Sequence, residues 1–428
     1  MNRIFLTLGL CVLSLGCFQA ERETEKIRLD YYFNGVPQTI RNERSLIEWF
    51  ESEHPGIEVV MTALPWVQYF QKLQISFVSG DPPDVFWGST AWTADLVKAG
   101  LLLDLTDYIE RDIDLEEVYS ETVAYHLYPP AGSSGRYYAW CGTWIADLLV
   151  YNQDLFEQAE QPLPNDTWSY EDLRQAAIAI TKDKDGDGIP DTYGFGNPFY
   201  NTVGNLVWSF GGQLLNDDGT QCLLGEPDAK PAWDFLLRLA HGDRAVAPVR
   251  SFTGLAAPFM SGRIGMLLDG SYMLQVYAPI KDFRWNVEIA PHHEGRRGIY
   301  GGANPWCITA STPHPDEAWE FIRFRCSPEV LTRFPQLGKV PIWKAMYTDP
   351  KYEAFWKSPG TPSNLRRVMQ ATAPCTHGYG WGTPHWSEWT AAVTAGLEAM
   401  LDPHNPQPRD EAIKEIVKAV NRVLQRDR

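Results

Sequence analysis

Hydrophobic positions along the chain fall into two textures, short solid runs and longer runs spaced by three and four. The solid runs "KIRLDYYF" (Lys26 to Phe33), "IEVVM" and "PDVFW" are rich in β-branched and aromatic residues. Asn-Gly, Pro-Gly or Pro-Pro bounds each of them, which predicts strands. Between them, Arg41 to Glu53 carries Leu46, Ile47 and Phe50 at helical spacing and is stopped by His54-Pro55-Gly56. Pro65 to Val78 predicts a second helix, with Trp66 and Tyr69 in its first turn, and Trp92 to Ala99 a third. Strand, helix, strand, helix, strand is the order of a parallel sheet covered by helices. The middle continues in kind, with a strand at Leu148 to Tyr151 and a capped helix in "DTWSYEDLRQAAIAIT". A helix over Pro231 to His241 and a strand at Ile264 to Leu268, closed by Asp269-Gly270-Ser271, follow. An amphipathic helix carrying Ile413, Ile416, Val417, Val420 and Leu424 ends the chain.

The first residues break this pattern. Arg3 precedes an apolar run from Ile4 to Leu15, which is shorter than the ~20 residues a bilayer requires and reads as a secretory signal. Gly16-Cys17 after it resembles a bacterial lipoprotein signal. That implies a signal peptide over residues 1–16, lipidation at Cys17, and a polar tether over residues 17–26. Ser14 and Leu15 stand where that pattern has Leu and a small residue. The remaining length exceeds one typical core and predicts two domains. A net charge of −17 disfavours nucleic acid as a partner. Cys141, Cys222, Cys307, Cys326 and Cys375 are too widely spaced for a disulfide framework or a CxxC zinc site, and allow at most two bridges. Seventeen Trp and nineteen Tyr are a heavy load, and many lie beside Gly, Pro, Ser or Asn, outside periodic segments. Trp87 is one, at the end of "DVFW" and just before Gly88-Ser89-Thr90. In open α/β sheets the carboxyl ends of strands are where ligands bind.

The order of motifs adds a resemblance. "GDPPDVFW", "LLVYNQDLFEQA", "PNDTWSYEDLRQAA", "FMSGRIGMLLDGSYM", "YGGANPWCIT" and "PHPDEAWEFIRF" follow one another as in the extracellular solute-binding proteins of ABC importers. The sugar-binding branch that includes maltose-binding protein is the one resembled, over nearly the whole mature chain. The resemblance implies a two-lobe periplasmic-binding-protein fold of the α/β class, each lobe a mostly parallel sheet covered by helices. Crossings are expected near Thr143 to Asp147, Gly301 to Trp306 and Phe334 to Pro341. The N-terminal lobe would comprise 27–143 and 306–336, the C-terminal lobe 147–302 and 340–428. A ligand would lie in the cleft and be enclosed by hinge closure. Aromatic rings suit the C–H face of a pyranose, and polar groups its hydroxyl rim. On this mapping the expected contacts begin with Asn34, Trp66, Tyr69, Trp87, Ser89 and Trp144. Trp208, Ser271, Tyr272, Gly301, Gly302, Asn304 and Trp306 extend them. The Gly-rich run "HGYGWGTPHW" contributes Tyr379, Trp381 and Trp386. The implied role is that of a lipid-anchored, extracytoplasmic, monomeric subunit that hands a sugar to the membrane-spanning subunits of an importer in a bacterial membrane.

"DKDGDGIPDTYG" places Asp183, Asp185 and Asp187 at alternate positions, Gly188 at the sixth and Asp191 at the ninth. This is the first half of an EF-hand loop, with Ile189 supplying a carbonyl, but Gly194 replaces the bidentate Glu at the twelfth. A structural calcium ion is expected, and no catalytic cofactor. Two rival functions have different signatures. A glycoside hydrolase needs paired carboxyl groups about 5–9 Å apart, and the aromatic segments offer no second acid. The other rival is a binding protein for a non-sugar solute such as a peptide, polyamine or metal; a cationic ligand would want several carboxylates in the cleft, and the expected cleft segments have few.

Overall fold

The computed structural model describes residues 26–128, 135–196, 200–248, 259–378 and 385–426. The first sheet assembles around β1 (Ile27–Asn34), whose alternate residues Leu29, Tyr31 and Phe33 are buried. β2 (Ile57–Leu64) pairs with it in parallel along its whole length, from Ile27 opposite Ile57 to Asn34 opposite Leu64. β3 (Val85–Trp87) pairs in parallel on the other side. Helices α1 (Pro37–Glu53), α2 (Trp66–Ser79) and α3 (Thr90–Lys98) each follow one of these strands. The register of three β-α units thus aligns the carboxyl ends of the strands along one rim. α1 begins four residues before the apolar spacing alone indicates, because Pro37 is tolerated in a first turn that has no N–H partner to lose.

After a small ribbon of β4 (Leu127–Tyr128) and β5 (Arg136–Tyr137), the chain enters the second sheet through β6 (Thr143–Asn152). Nine of its ten residues are buried, so it reads as a solid apolar run without alternation. The later strands are β7 (Tyr193–Phe195), β8 (Ile264–Gly270), β9 (Trp285–Glu288) and β10 (Ile299–Gly302). β6 runs antiparallel to β8, β9 and β10, while β7 joins β8 in parallel. The chain then returns to the first sheet. β11 (Trp306–Ile308) lies antiparallel to β3, with Trp306 opposite Trp87. It crosses back at β12 (Val340–Pro341), which pairs with Thr143 and Trp144 at the start of β6. β13 (Thr376–Gly378) then adds in parallel to β10.

The result is a two-lobe α/β architecture whose connections lie side by side. One long set of buried aliphatic and aromatic residues runs through both lobes. No described helix is long and apolar enough to cross a membrane. The five described cysteines are free, and four of them are buried.

Candidate functional site

Where the first sheet meets the crossings, a cavity of about 430 Å³ opens. One wall is aromatic. Phe33, at the end of β1, lies nearly parallel to Trp306 at 6.1 Å between ring centres. Trp66, in the first turn of α2, stands edge-on to Trp87 at 5.5 Å. Trp66 is 47% exposed, whereas Trp87 is only 7% exposed. Polar side chains share the lining: Asn34 at the end of β1, Gln38 and Asn42 in the first half of α1, and Gln275, Asn304 and Gln336 from later segments.

Beneath the aromatic wall lies a buried ion pair. Arg325 holds both oxygens of Glu43 at 2.8 Å, and the Tyr31 hydroxyl donates to the same carboxylate at 2.7 Å. The guanidinium also lies 3.6 Å from the centre of the Trp306 ring. Burial opposes its charge, but Glu43 more than offsets this and holds the Arg325 pKa above its ordinary value. Burial, with the Glu43 charge beside it, pushes the Tyr31 phenol well up. Lys339 also lines the cavity, its ammonium 5.9 Å from the centre of the Trp87 ring. Burial lowers the Lys339 pKa.

Of the contacts expected from sequence, the cavity brings together Asn34, Trp66, Trp87, Asn304 and Trp306. The others lie elsewhere, for identifiable reasons. Tyr69 packs behind Trp87 and donates its hydroxyl to the Trp87 carbonyl at 2.5 Å. Ser89 is buried at the start of α3, where its carbonyl accepts from the Thr93 N–H and hydroxyl. Trp144 is fully enclosed, with its indole N–H directed to the Pro341 carbonyl and the Tyr347 hydroxyl. Trp208 stacks on His377 at 4.9 Å. Ser271 donates to the Gly338 carbonyl at 2.6 Å, and Tyr272 follows it in the same turn. Gly301 and Gly302 are buried in β10 opposite Ala146 and Ile145. Trp386 meets Tyr200 edge-on at 5.5 Å and lines a separate, open groove. Tyr379, Trp381 and Cys17 lie outside the described residues.

The polar and charged lining residues absent from the expected contacts include Gln38, Asn42, Glu43, Gln275, Arg325, Gln336 and Lys339. Glu43 had a signal, since it shares the 43, 46, 47, 50 face of α1 with three apolar residues. A charged residue on a buried helix face needs a partner. Lys339 falls within the expected crossing Phe334 to Pro341, and no local pattern singles out its side chain.

Two acidic groups lie away from the cavity. Asp183, Asp185 and Asp187 each bring a carboxylate oxygen within 4.8 Å of the others, all exposed. Gly186 and Gly188, at φ of 77° and 87°, turn the loop so that their N–H groups reach Asp183 at 2.8 Å. The Gly188 N–H above all lowers the Asp183 pKa. This convergence fits a hard cation. Asp191 stands outside the trio and accepts from the Lys184 N–H at 2.7 Å. Ile189 is exposed, and its N–H donates to Asp187. In the second lobe, Asp147 is fully buried and accepts from the amides of Asn205 at 2.8 Å and Asn201 at 3.3 Å. Burial pushes its pKa up to about 8, and that of neighbouring Asp269 to about 6.

The profile of the bacterial extracellular solute-binding protein family matches residues 37–331. The chain belongs to that family. Among relatives, this binding protein is 21% identical over 417 residues to the maltotriose-binding protein of Pyrococcus abyssi, covering 93% of this chain and 82% of that one. Its fold is similar to that of an ABC substrate-binding protein of Listeria monocytogenes, solved in complex with cycloalternan. The TM-score is 0.76 at 20% identity, over 93% of this chain and 99% of that one. It is equally similar to UgpB of Mycobacterium tuberculosis, solved with glycerophosphocholine, at a TM-score of 0.76 and 20% identity over 94% and 99% of the two chains. The fold therefore hosts ligands of different chemistry, and the binding protein's own ligand must be argued from its cleft.

Proposed function

We propose that this protein is the lipid-anchored, extracytoplasmic substrate-binding subunit of an ABC importer, and that it captures a sugar or oligosaccharide and delivers it to the membrane-spanning subunits. One observation carries the reading: the cavity at the crossings is lined by aromatic rings together with carboxamide side chains. Aromatic faces match the apolar faces of a pyranose, and carboxamides donate to and accept from its hydroxyls. The proposed role is capture without reaction. Among the described lining residues Glu43 is the sole carboxylate, and Arg325 and Tyr31 occupy its oxygens. Glycoside hydrolysis needs two carboxyl groups.

The test is a panel of mono- and oligosaccharides, peptides and polyamines in thermal denaturation. A true ligand at a hundred times its Kd adds about 2.7 kcal/mol of stability and raises Tm. A midpoint that moves for a peptide or polyamine and for no carbohydrate would overturn the reading. As part of the same proposal, Asp183, Asp185 and Asp187 hold a structural calcium ion remote from the cleft.

A further inference from the structure

The charges that line the cleft do not balance. Glu43 and Arg325 neutralise each other through two bonds of 2.8 Å, which leaves Lys339 as a surplus cation. Among the described residues no carboxylate comes within ion-pairing distance of its ammonium, which lies 5.9 Å from the centre of the Trp87 ring; Glu43 favours its charge only from longer range, and Arg325 opposes it. The backbone that carries it is anchored. The Lys339 N–H donates to the Gln336 carbonyl at 3.0 Å. The preceding Gly338, at φ of 83°, gives its carbonyl to the Ser271 hydroxyl. A cation thus extends from an anchored turn in a chain whose net charge is −17. Burying an ammonium without a counter-charge is costly, and closure of the cleft would bury it further. Neutral sugar hydroxyls would satisfy its N–H groups but not its charge. An anionic group on the ligand would satisfy both.

We propose that the cleft is built for an acidic saccharide, a sugar bearing a carboxylate or a phosphate, with the anionic group seated on the Lys339 ammonium. This rests on the reading of the cleft as a saccharide site. The anion supplies the counter-charge that the protein withholds, so the ligand completes the electrostatics as it closes the lobes.

Isothermal titration of the full-length folded protein near pH 7 and low ionic strength tests this with matched probes. Trigalacturonate against its methyl ester isolates a carboxylate, and glucose 6-phosphate against glucose isolates a phosphate. One acidic probe should bind at least about tenfold more tightly than its neutral partner, as a hydrogen bond to a charged group warrants. Added salt should narrow the gap. Lys339→Met and Lys339→Gln should erase it, with Tm of the free protein unchanged or raised because an unpaired cation is gone, while Lys339→Arg should retain it. Neutral partners that bind as tightly as acidic ones, or a gap that survives Lys339→Met, would overturn the acidic ligand and leave the saccharide reading standing. If neither variant folds, the acid-to-neutral ratio of the parent decides alone. Binding of a peptide by a protein that takes no saccharide, acidic or neutral, would overturn both.

Discussion

Trp66 and Trp87 share a wall but differ in what they owe to the fold. Trp66 is nearly half exposed, so Trp66→Ala should weaken saccharide binding and leave Tm within a degree or two. Loss of a buried aromatic contact on binding costs ~2–4 kcal/mol, roughly thirty- to a thousand-fold in Kd. Trp87 is 7% exposed and carries Trp66 on one side and Tyr69 on the other. Trp87→Ala should therefore cost ~3–5 kcal/mol of folding stability as well. Urea unfolding and titration calorimetry on both variants separate the two cases, and equal unfolding midpoints would show Trp87 to be as dispensable to the core as Trp66. Asp147 makes a prediction about pH. An unfolded Asp loses its proton near pH 4, while the buried folded one keeps it to about pH 8. The stability it lends is fully present below pH 4 and is lost as pH rises to about 8, at about 1.4 kcal/mol per pH unit. Asp269 adds the same slope only up to about pH 6. Asp147→Asn should flatten the decline between pH 6 and 8, as read by denaturant titrations at those two values. A parent with equal stability at both would mean that Asp147 folds as an anion.

At the scale of elements, α1 is joined to the helix Pro315–Arg325 by one buried pair, Glu43 with Arg325. Glu43→Ala should destabilise by ~3–5 kcal/mol, because it strands a buried guanidinium. Replacing both residues by apolar ones should recover much of that loss, and an exposed-pair cost below 1 kcal/mol in urea unfolding would contradict the burial. The acidic loop is an independent element. Calcium should raise Tm of the parent, and chelator should lower it, while Asp185→Ala combined with Asp187→Ala should respond to neither. An equal chelator response in the double variant would place the ion elsewhere. Sequence pattern found these elements where local signals were strong. The alternation in β1, the Ser169 cap that accepts from the Asp172 N–H, and the glycines of the acidic loop all act within a few residues. It puts the start of α1 at Arg41, and so leaves Gln38 outside the helix. It could not tell Trp66 from Trp144, since both are Trp at the edge of an element and only tertiary packing decides which one faces solvent. Lys339 shows the same limit, because a lysine in a crossing is unremarkable until Trp87 arrives from a strand some 250 residues away.

For the whole molecule, the aromatic wall belongs to the first sheet, while Gln275 and the crossing that carries Lys339 belong to the other side of the cleft. A ligand that touches both favours the closed arrangement by its differential contacts. If lipidation at Cys17 is the tether, Cys17→Ser should move the protein from the membrane fraction to the soluble one without changing its ligand affinity. Mature protein starting near Glu21 in the parent strain would show ordinary signal cleavage. The turn at Gly338 bears on how tightly such a protein binds at all. A β-carbon there would lie 1.9 Å from the Ser271 carbonyl oxygen, so even alanine would prise the crossing from the second sheet. The interlobe angle would then be biased, although every side chain that lines the cleft keeps its identity. Apparent affinity scales with the fraction of molecules already competent to close. One methyl group behind the cleft would therefore act as a dial on uptake threshold, shifting the solute concentration at which import begins.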